Sequence, residues 1–224
     1  MTTSSLLRIY QLLDRHYGDL HWWPANSKDE IAIGAILVQN VSWANTTKAI
    51  DRLLSEDLLT LQHLDAAPLE TIEKCVLSTR FYKMKAKKLK TFASYFTANW
   101  RGDWGLMKAA GLEKVRPDLL AVWGIGPETA DDILLYAVEL PTFVVDAYTR
   151  RIFSRLGIAS ETVNYERMRR FFMDNLPGEI ALYNQYHALI DALGHRVCLS
   201  KKPRCRECPL LSLCAFGQSE FTPA

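Results

Sequence analysis

Apolar residues recur every three to four positions along most of the chain, which is the spacing of amphipathic α-helices. The first such stretch runs from Leu6 to Tyr17 and stops at Gly18, so the sequence predicts a helix at this end. Further helices are predicted over 43–54, 68–77, 84–100, 113–122, 127–140, 147–156, 164–175 and 178–193. Extended chain is predicted only over 143–145, and the predicted fold class is therefore all-α.

The segment Ser27-Lys-Asp-Glu30 has the pattern of a capping box ahead of the apolar run 31–37. In such a box Ser27 accepts a hydrogen bond from the third helical N–H group, and the side chain of Glu30 reaches back toward the helix start. The pattern predicts that a helix of the core begins here.

The composition is that of an ordinary globular protein. Hydrophobic residues make up 49% of the 224 residues and charged residues 23%, and the 11 Gly and 9 Pro exclude disordered, collagen-like and low-complexity classes. No apolar run reaches the ~20 residues of a bilayer span, and the first ten residues lack the pattern of a secretory signal. We therefore expect a cytoplasmic protein with no membrane partner.

The net charge of +2 is too small to indicate a nucleic-acid partner, so the clustering of basic residues has to decide. Two groups stand out, one within 83–90 and one around the cysteines near the C-terminal end. They are Lys83, Lys85, Lys87, Lys88 and Lys90, and Arg196, Lys201, Lys202, Arg204 and Arg206. A solvated helix face explains the first group as well as a binding surface does.

Four of the five cysteines lie within 17 residues, as Cys198-x6-Cys205-x2-Cys208-x5-Cys214. Disulfides are rare in the cytosol, so the spacing predicts a metal or cluster site. Zinc is commonly held by two close pairs, whereas one close pair with spaced flanking ligands can surround an iron-sulfur cluster. Unliganded structural thiols are the third interpretation. Cys75 stands alone and is expected to be a small buried apolar residue.

Residues 119–130 place a helix, a Gly-x-Gly turn at Gly124 and Gly126, and a second helix in order. Glycines allow a tight turn that leaves N–H groups exposed at a helix N-terminus, where a phosphate oxygen can be held. Downstream, Asp146 stands at the start of the next predicted helix. Taken alone, the first pattern is also that of a plain turn, and the second is also that of an N-cap.

Together these segments resemble the endonuclease III branch of the helix-hairpin-helix (HhH-GPD) DNA glycosylases over nearly the whole chain. The resemblance rests on 35–40, 80–86, the Gly-Ile-Gly hairpin, Val145-Asp146 and 194–205. It implies a six-helix domain over 21–140 with the hairpin at 119–131. It also implies a cluster domain made of 1–20 and 141–224, with the cluster loop at 198–214. The implied partner is double-stranded DNA with a damaged base, lying across the cleft between the domains and bound by a monomer.

The same resemblance assigns roles to individual residues. Asp146 would be the catalytic aspartate, and a monovalent cation would bind at the hairpin. Cys198, Cys205, Cys208 and Cys214 would ligate a [4Fe-4S] cluster. Residues implied to contact DNA are Gln39 and Phe81, which would enter the gap left by the flipped nucleotide, the hairpin residues Gly124, Gly126 and Thr129, and the loop residues Lys201, Lys202 and Arg204.

The sequence departs from the main branch at two places. Glu128 stands where the bifunctional enzymes carry the lysine that attacks the sugar through a Schiff base. An aromatic set replaces a more polar base pocket and is similar to that of the 3-methyladenine glycosylase subgroup related to endonuclease III. The base pocket expected from this resemblance consists of Trp22, Trp23, Pro24, Trp43 and Tyr148. The alternative for the tryptophans is that they fill the core.

These departures predict a monofunctional N-glycosylase that releases an alkylated purine such as 3-methyladenine and leaves an abasic site. One alternative is a bifunctional glycosylase and lyase for oxidised pyrimidines, which would need another amine, from the lysines within 83–90 or the N-terminus. A second alternative is a non-catalytic DNA-binding protein, which would have no use for a carboxylate at Asp146.

Overall fold

The computed structural model describes residues 3–219, and within this range it contains helices and no strand. The predicted all-α fold class is confirmed. Two compact units divide the chain. One, the end unit, combines the chain ends up to Trp22 and from Pro141 onward, and the other, the central unit, comprises Trp23–Leu140. No helix in the described range is both long and apolar enough to cross a bilayer.

Thirteen α-helices are present within residues 3–219. In chain order they are α1 (Thr3–Tyr17), α2 (Lys28–Leu37), α3 (Trp43–Ser55), α4 (Leu61–Ala66), α5 (Leu69–Cys75), α6 (Tyr82–Trp100), α7 (Trp104–Ala110), α8 (Leu112–Ala121), α9 (Pro127–Asp132), α10 (Ala147–Arg155), α11 (Tyr165–Asn175), α12 (Ile180–Arg196) and α13 (Ala215–Ser219). A π-helical segment, Ile133–Val138, continues α9, and 3₁₀ turns occur at Cys205–Glu207 and Leu211–Leu213.

Helix α2 begins as the capping box predicts. The Oγ atom of Ser27 accepts a hydrogen bond from the Glu30 N–H group at 3.1 Å. The side chain of Glu30 also reaches back, but its Oε2 atom accepts from the N–H group of Asn26, one residue before the N-cap Ser27, at 2.9 Å. Both bonds satisfy donors at the helix start, which would otherwise lack partners.

The core of the central unit surrounds α2, which is buried on nearly all sides. Ile33 and Ile36 of α2 are fully buried, as are Leu89 and Phe92 of α6. Each such side chain contributes roughly 1.5–3 kcal/mol of burial free energy. The π-helical segment is buried over its whole length, so the helices that flank the hairpin are packed into the same core.

Two short helices and the π-helical segment differ from the sequence-based expectation. Helices α4 and α7 have six and seven residues, which is too short for a period of 3.6 residues to become visible. The single helix predicted over 127–140 instead changes to π geometry at Ile133. Residues 143–145 are extended but buried and pair with no strand in the described range.

The end unit is held together by contacts between α1 and α12. The hydroxyl of Tyr186 donates to the carbonyl oxygen of Leu6 at 2.9 Å, and the Gln185 amide donates to the carbonyl oxygen of Gly18 at 2.8 Å. The Phe143 ring stacks on Phe172 with centroids 3.9 Å apart. The first two contacts join α1 and the residue that follows it to α12, and the third packs the extended segment 143–145 against α11.

Candidate active site

The hairpin of the central unit consists of α8, the turn 122–126 and α9. Gly124 has a φ of +90°, a region that residues with a side chain rarely adopt. A Cβ atom at this position would also lie 2.5 Å from the Cγ atom of Lys88. Conformation and space therefore both require glycine, whereas the space around Gly126, the N-cap of α9, is open.

The side chain of Gln39 holds this hairpin in place. Its Nε2 atom donates to the Gly124 carbonyl oxygen at 3.3 Å and to the Thr129 hydroxyl at 2.8 Å. Its Oε1 atom accepts from the Nζ atom of Lys88 at 2.5 Å. Gln39 thus has an internal structural role that the sequence did not indicate, and entry into a DNA gap would exchange these bonds for contacts with bases.

A buried salt bridge joins the two helices of the hairpin. Arg116 of α8 donates from Nε to Asp131 Oδ1 at 2.8 Å and from an Nη atom to Oδ2 at 3.0 Å. The Asp131 side chain is completely buried. Bidentate pairs of this kind are strong and fix the geometry of both partners. The sequence does not reveal this pair, because its signal is merely one cation and one anion on opposite sides of the Gly-x-Gly turn.

The lysines within 83–90 do not form one solvated face. Lys85 is buried, and its Nζ atom donates to the carbonyl oxygens of Ile36, Leu37 and Gln39 at 2.7–3.1 Å. Burial, together with the nearby charge of Lys88, lowers the pKa of Lys85 to about 7. All three of its donors are engaged, so Lys85 closes the end of α2. Lys83 and Lys87 are exposed.

Two of the residues that the sequence singles out in the central unit face solvent. Glu128 is exposed in the first turn of α9, where the helix dipole favours a negative charge. Phe81 is 66% exposed and adopts a left-handed backbone conformation with a φ of +59° just before α6. The guanidinium group of Arg80 lies 5.0 Å from the centre of its ring. An exposed aromatic ring on a strained backbone is typical of a functional contact.

The central unit brings two of the five predicted base-pocket residues together. The rings of Trp23 and Trp43 meet edge to face with centroids 5.5 Å apart. Tyr136 of the π-helical segment, which the sequence analysis did not select, adds a third ring 5.3 Å from Trp23. Pro24 is exposed beside them in the chain. The remaining two, Trp22 and Tyr148, belong to the end unit.

Asp146 is the N-cap of α10 and is largely buried. Its Oδ1 atom accepts from both the N–H group and the hydroxyl of Thr149, each at 2.6 Å. Burial raises the pKa of this carboxyl, but the nearby imidazole of His187 and the two Thr149 bonds outweigh burial and hold the pKa below its ordinary value. The group is therefore an ionised carboxylate with one oxygen, Oδ2, that Thr149 does not use.

Tyr148 is fixed by contacts with α12. Its hydroxyl lies 2.7 Å from the Nδ1 atom of His195, and the guanidinium group of Arg151 lies 4.9 Å from its ring centre. A Cβ atom at Gly194 would come within 2.5 Å of the Tyr148 ring. The absence of a side chain at Gly194 is thus what allows α12 and Tyr148 to pack so closely.

The four clustered cysteines line one concavity. Two donors point at the sulfurs, since Arg155 lies 3.2 Å from Cys198 Sγ and the Gly217 N–H group lies 3.3 Å from Cys214 Sγ. Burial raises the pKa of Cys208 to about 11. Within residues 3–219, no three Cys, His, Asp or Glu side chains converge closely enough to hold a single metal ion. The basic residues Lys201, Lys202 and Arg204 are exposed on this loop.

Comparisons with known proteins agree on one family. The sequence profile of the HhH-GPD superfamily of base excision DNA repair proteins matches residues 33–178. The chain is 39% identical over 210 residues to MJ1434 of Methanocaldococcus jannaschii, which is named as a DNA repair glycosylase, and the match covers 93% of this chain and 95% of that protein. It is 29% identical over 186 residues to the endonuclease III of Sulfolobus acidocaldarius, covering 82% and 80% of the two chains.

Two solved structures show the same architecture. A trapped covalent intermediate of endonuclease III with DNA superposes with a TM-score of 0.84 at 22% identity, covering 99% of this chain and all of the other, which shows the fold. The H. pylori 3-methyladenine DNA glycosylase MagIII, bound to 1,N6-ethenoadenine, gives a TM-score of 0.74 at 26% identity and covers 86% of this chain and 97% of that one.

Proposed function

Since this chain belongs to the endonuclease III-like HhH-GPD superfamily of base excision repair DNA glycosylases, we propose that it is a monofunctional N-glycosylase for alkylated purines such as 3-methyladenine. The observation that carries this proposal is Glu128. It is exposed at the hairpin position where the bifunctional enzymes of the family carry their lysine nucleophile. A carboxylate at this position forms no Schiff base with the sugar, so water becomes the attacking group.

Asp146 provides the charge that bond cleavage needs. As the glycosidic bond breaks, the sugar gains oxocarbenium character, which a fixed carboxylate stabilises electrostatically. The two Thr149 bonds to Oδ1 hold the carboxylate in one orientation before the reaction begins. Because its pKa lies below the ordinary value, Asp146 is ionised at neutral pH. Its Oδ2 atom, which Thr149 does not bind, orients the attacking water.

The aromatic group of Trp23, Trp43 and Tyr136 supports an alkylated purine as the substrate. An N3-alkylated purine is a cation and leaves with little protonation, and a cation over an aromatic face gains roughly 0.5–2 kcal/mol. The 1,N6-ethenoadenine in the MagIII complex is likewise a modified purine, bound by a protein 26% identical to this chain. Electron-rich rings therefore favour this substrate class over a neutral oxidised pyrimidine.

Contacts with the DNA backbone come from groups that are already exposed. The open surface at Gly126 leaves the N-terminus of α9 accessible to a phosphate. Phe81 is the side chain best suited to enter the gap left by the flipped nucleotide, because an inserted ring restores part of the lost stacking. Lys201, Lys202 and Arg204 supply positive charge on the cysteine loop.

The cysteine loop is proposed to hold a [4Fe-4S] cluster. Four sulfur donors line one concavity, and hydrogen-bond donors to coordinating sulfurs are a common feature of such sites. Zinc requires its four ligands around one ion, whereas the ligands of a cluster bind separate irons and surround a larger volume. When bound, the cluster would fix the loop that carries Lys201, Lys202 and Arg204.

The first prediction concerns this loop. Purified protein is expected to be brown and to contain about four irons per chain, the content of the proposed cluster, because four cysteine sulfurs line one concavity. Metal analysis together with the visible absorption spectrum checks this expectation. A colourless protein with one zinc per chain and no iron would remove the cluster assignment.

The second prediction concerns Trp43. Trp43→Ala is expected to weaken transition-state binding of 3-methyladenine by about 1–3 kcal/mol, the scale of base-aromatic stacking. Single-turnover excision measures this loss. Trp43→Phe is the matched control, since it keeps a ring at the edge-to-face contact with Trp23 and should retain most of the rate. Equal rates for Trp43→Ala and the unmodified protein would place the base elsewhere.

The third prediction concerns the nucleophile. Borohydride should trap no covalent adduct between this protein and DNA, whereas endonuclease III, which has been trapped in such an adduct, serves as the positive control. Lys85 bonds to three carbonyl groups and Lys88 bonds to Gln39. Lys87 is exposed, and its Nζ atom lies 4.6 Å from the ring centre of Trp123 in the hairpin turn, so Lys87 is an amine that the bifunctional alternative would use. The N-terminal amine lies outside the described residues. An adduct that persists after this amine is blocked would overturn the monofunctional assignment in favour of the bifunctional alternative.

A panel of duplexes tests the proposed function as a whole. Matched oligonucleotides carry 3-methyladenine, 1,N6-ethenoadenine, an oxidised pyrimidine, a mismatch or no lesion, and released base and strand cleavage are measured separately. We expect release of the alkylated purine without strand cleavage. Release of the oxidised pyrimidine with strand cleavage would support the lyase alternative. Binding without any release would leave a DNA-binding protein with no glycosylase activity.

A further inference from the structure

Near Asp146 the end unit holds two more titratable side chains on α12, the buried His187 and the partly buried Asp191. His187 is 5% exposed, and its Nε2 atom lies 3.8 Å from Asp146 Oδ2. Asp191 follows one helical turn later. Burial raises the pKa of Asp191 and the charge of Asp146 raises it further, while His187 lowers it. The imidazole is therefore coupled to both carboxyl groups.

The titratable and charged groups described around His187 come from three helices. From α10 come Asp146 and Tyr148, with Arg151 over the Tyr148 ring. From α12 itself come Asp191 and, further along, His195 and Arg196. On the side of α1, Tyr10 packs on Tyr186 and Asp14 accepts from Gln185, the two residues before His187. Of these groups, the two carboxyls of Asp146 and Asp191 are those that stabilise a charged imidazole.

The proposed reaction requires a group that accepts a proton from Asp146. When water adds to the sugar carbon, its oxygen forms the new bond and one of its protons must leave. Oδ2 of Asp146 is the nearest acceptor that the Thr149 bonds do not use. An Asp carboxylate is ordinarily a weaker base than an imidazole, with a pKa of about 3.9 against about 6.5, and therefore keeps this proton poorly. A second, more basic acceptor behind it would return Asp146 to its ionised form.

We propose that His187 is this acceptor, a positioning residue that receives the water proton through Asp146 while Asp191 stabilises the resulting imidazolium. The inference rests on the proposed function. At 3.8 Å the two atoms are too far apart for a hydrogen bond, so the transfer requires a shortening of about 1 Å or one bridging water. The glycosidic electron pair leaves with the base, water supplies the new oxygen, and the proton ends on His187.

The pH profile of single-turnover excision provides the test. In the unmodified protein the rate should rise with pH as His187 loses its proton, because a protonated imidazole accepts no proton and weakens the field of Asp146. His187→Gln should remove this rise and lower the plateau on the order of tenfold. Asp191→Asn should move the rise to lower pH, since loss of a carboxylate favours the neutral imidazole. DNA affinity should change in neither variant.

The matched control is His63→Gln, which alters a histidine paired with Asp57 at 3.4 Å on the exposed side of the central unit. Its pH profile should equal that of the unmodified protein. A His187→Gln variant that keeps the original profile overturns the inference. If that variant does not fold, the shift in Asp191→Asn decides, and no shift also overturns it. No purine release by the unmodified protein is a different outcome, which rejects the proposed function instead.

Discussion

Asp146→Asn is expected to abolish base excision, with a loss of about 10³-fold in the single-turnover rate, the scale seen when a preorganised electrostatic contact is removed. The fold should survive, because Asn is as good an N-cap as Asp and its Oδ1 atom can still accept from the Thr149 N–H group. What is lost is the negative charge and the acceptor at Oδ2, which an NH2 group replaces. Thermal unfolding and single-turnover excision of 3-methyladenine, measured on the same preparation, separate the two effects.

Glu128→Gln is the matched control for this substitution. It also replaces one carboxylate by an amide at the start of a helix, but Glu128 is exposed and no role in base release is assigned to it. Base release should remain largely intact and DNA affinity should rise slightly, since a negative charge near the backbone phosphates is removed. Equal losses in the two variants would show that Asp146 has no special role.

Arg116→Leu is expected to lower the free energy of unfolding by about 3–5 kcal/mol, because it leaves the fully buried carboxylate of Asp131 without its bidentate cation. Urea unfolding monitored by circular dichroism measures the change. The double variant Arg116→Leu/Asp131→Leu should recover part of the loss, since an apolar pair carries no uncompensated charge. Such a recovery would show that the penalty comes from the buried charge rather than from lost packing alone.

Lys114→Leu provides the comparison for Arg116 on the same helix. Lys114 pairs with Asp118 at 3.1 Å, and both side chains retain solvent contact. Exposed pairs contribute about 0–1 kcal/mol, so this variant should unfold within that margin of the unmodified protein. Similar losses for the Arg116 and Lys114 variants would mean that the Asp131 pair is no more important than a surface ion pair.

The helices were largely predictable because their signals are local. A period of 3.6 residues marks α1 and α6, and the oxygen of Ser27 lies three residues before the N–H group that it accepts from. The endonuclease III-like resemblance, which the comparisons confirm, rests on equally local motifs. Apolar periodicity cannot distinguish two helical geometries that bury the same residues. The change from α to π geometry at Ile133 leaves the run of buried residues unbroken.

Contacts between distant residues were not predictable. His187 looked like any polar residue in the apolar stretch of α12, and only the fold places it beside Asp146, 41 positions earlier. Lys85 was one of five lysines in a basic run, yet it alone is buried. Gln39 was expected to meet DNA, while its contacts with Gly124 and Thr129 depend on packing between segments about 90 residues apart. The residue type indicates which interactions a side chain can make, but only the tertiary structure shows which residue it makes them with.

The bonds from Gln39 and the Arg116–Asp131 pair mean that the hairpin is already ordered before DNA arrives. In the proposed mode of DNA binding, encounter with a duplex then carries no ordering cost in this loop, and its rate depends on diffusion, orientation and the salt-dependent attraction of the phosphates. Every stretch of backbone offers the same phosphates, so the hairpin can pass from one to the next during a search. Damaged and undamaged DNA therefore differ in how long they retain the protein, not in how quickly it reaches them.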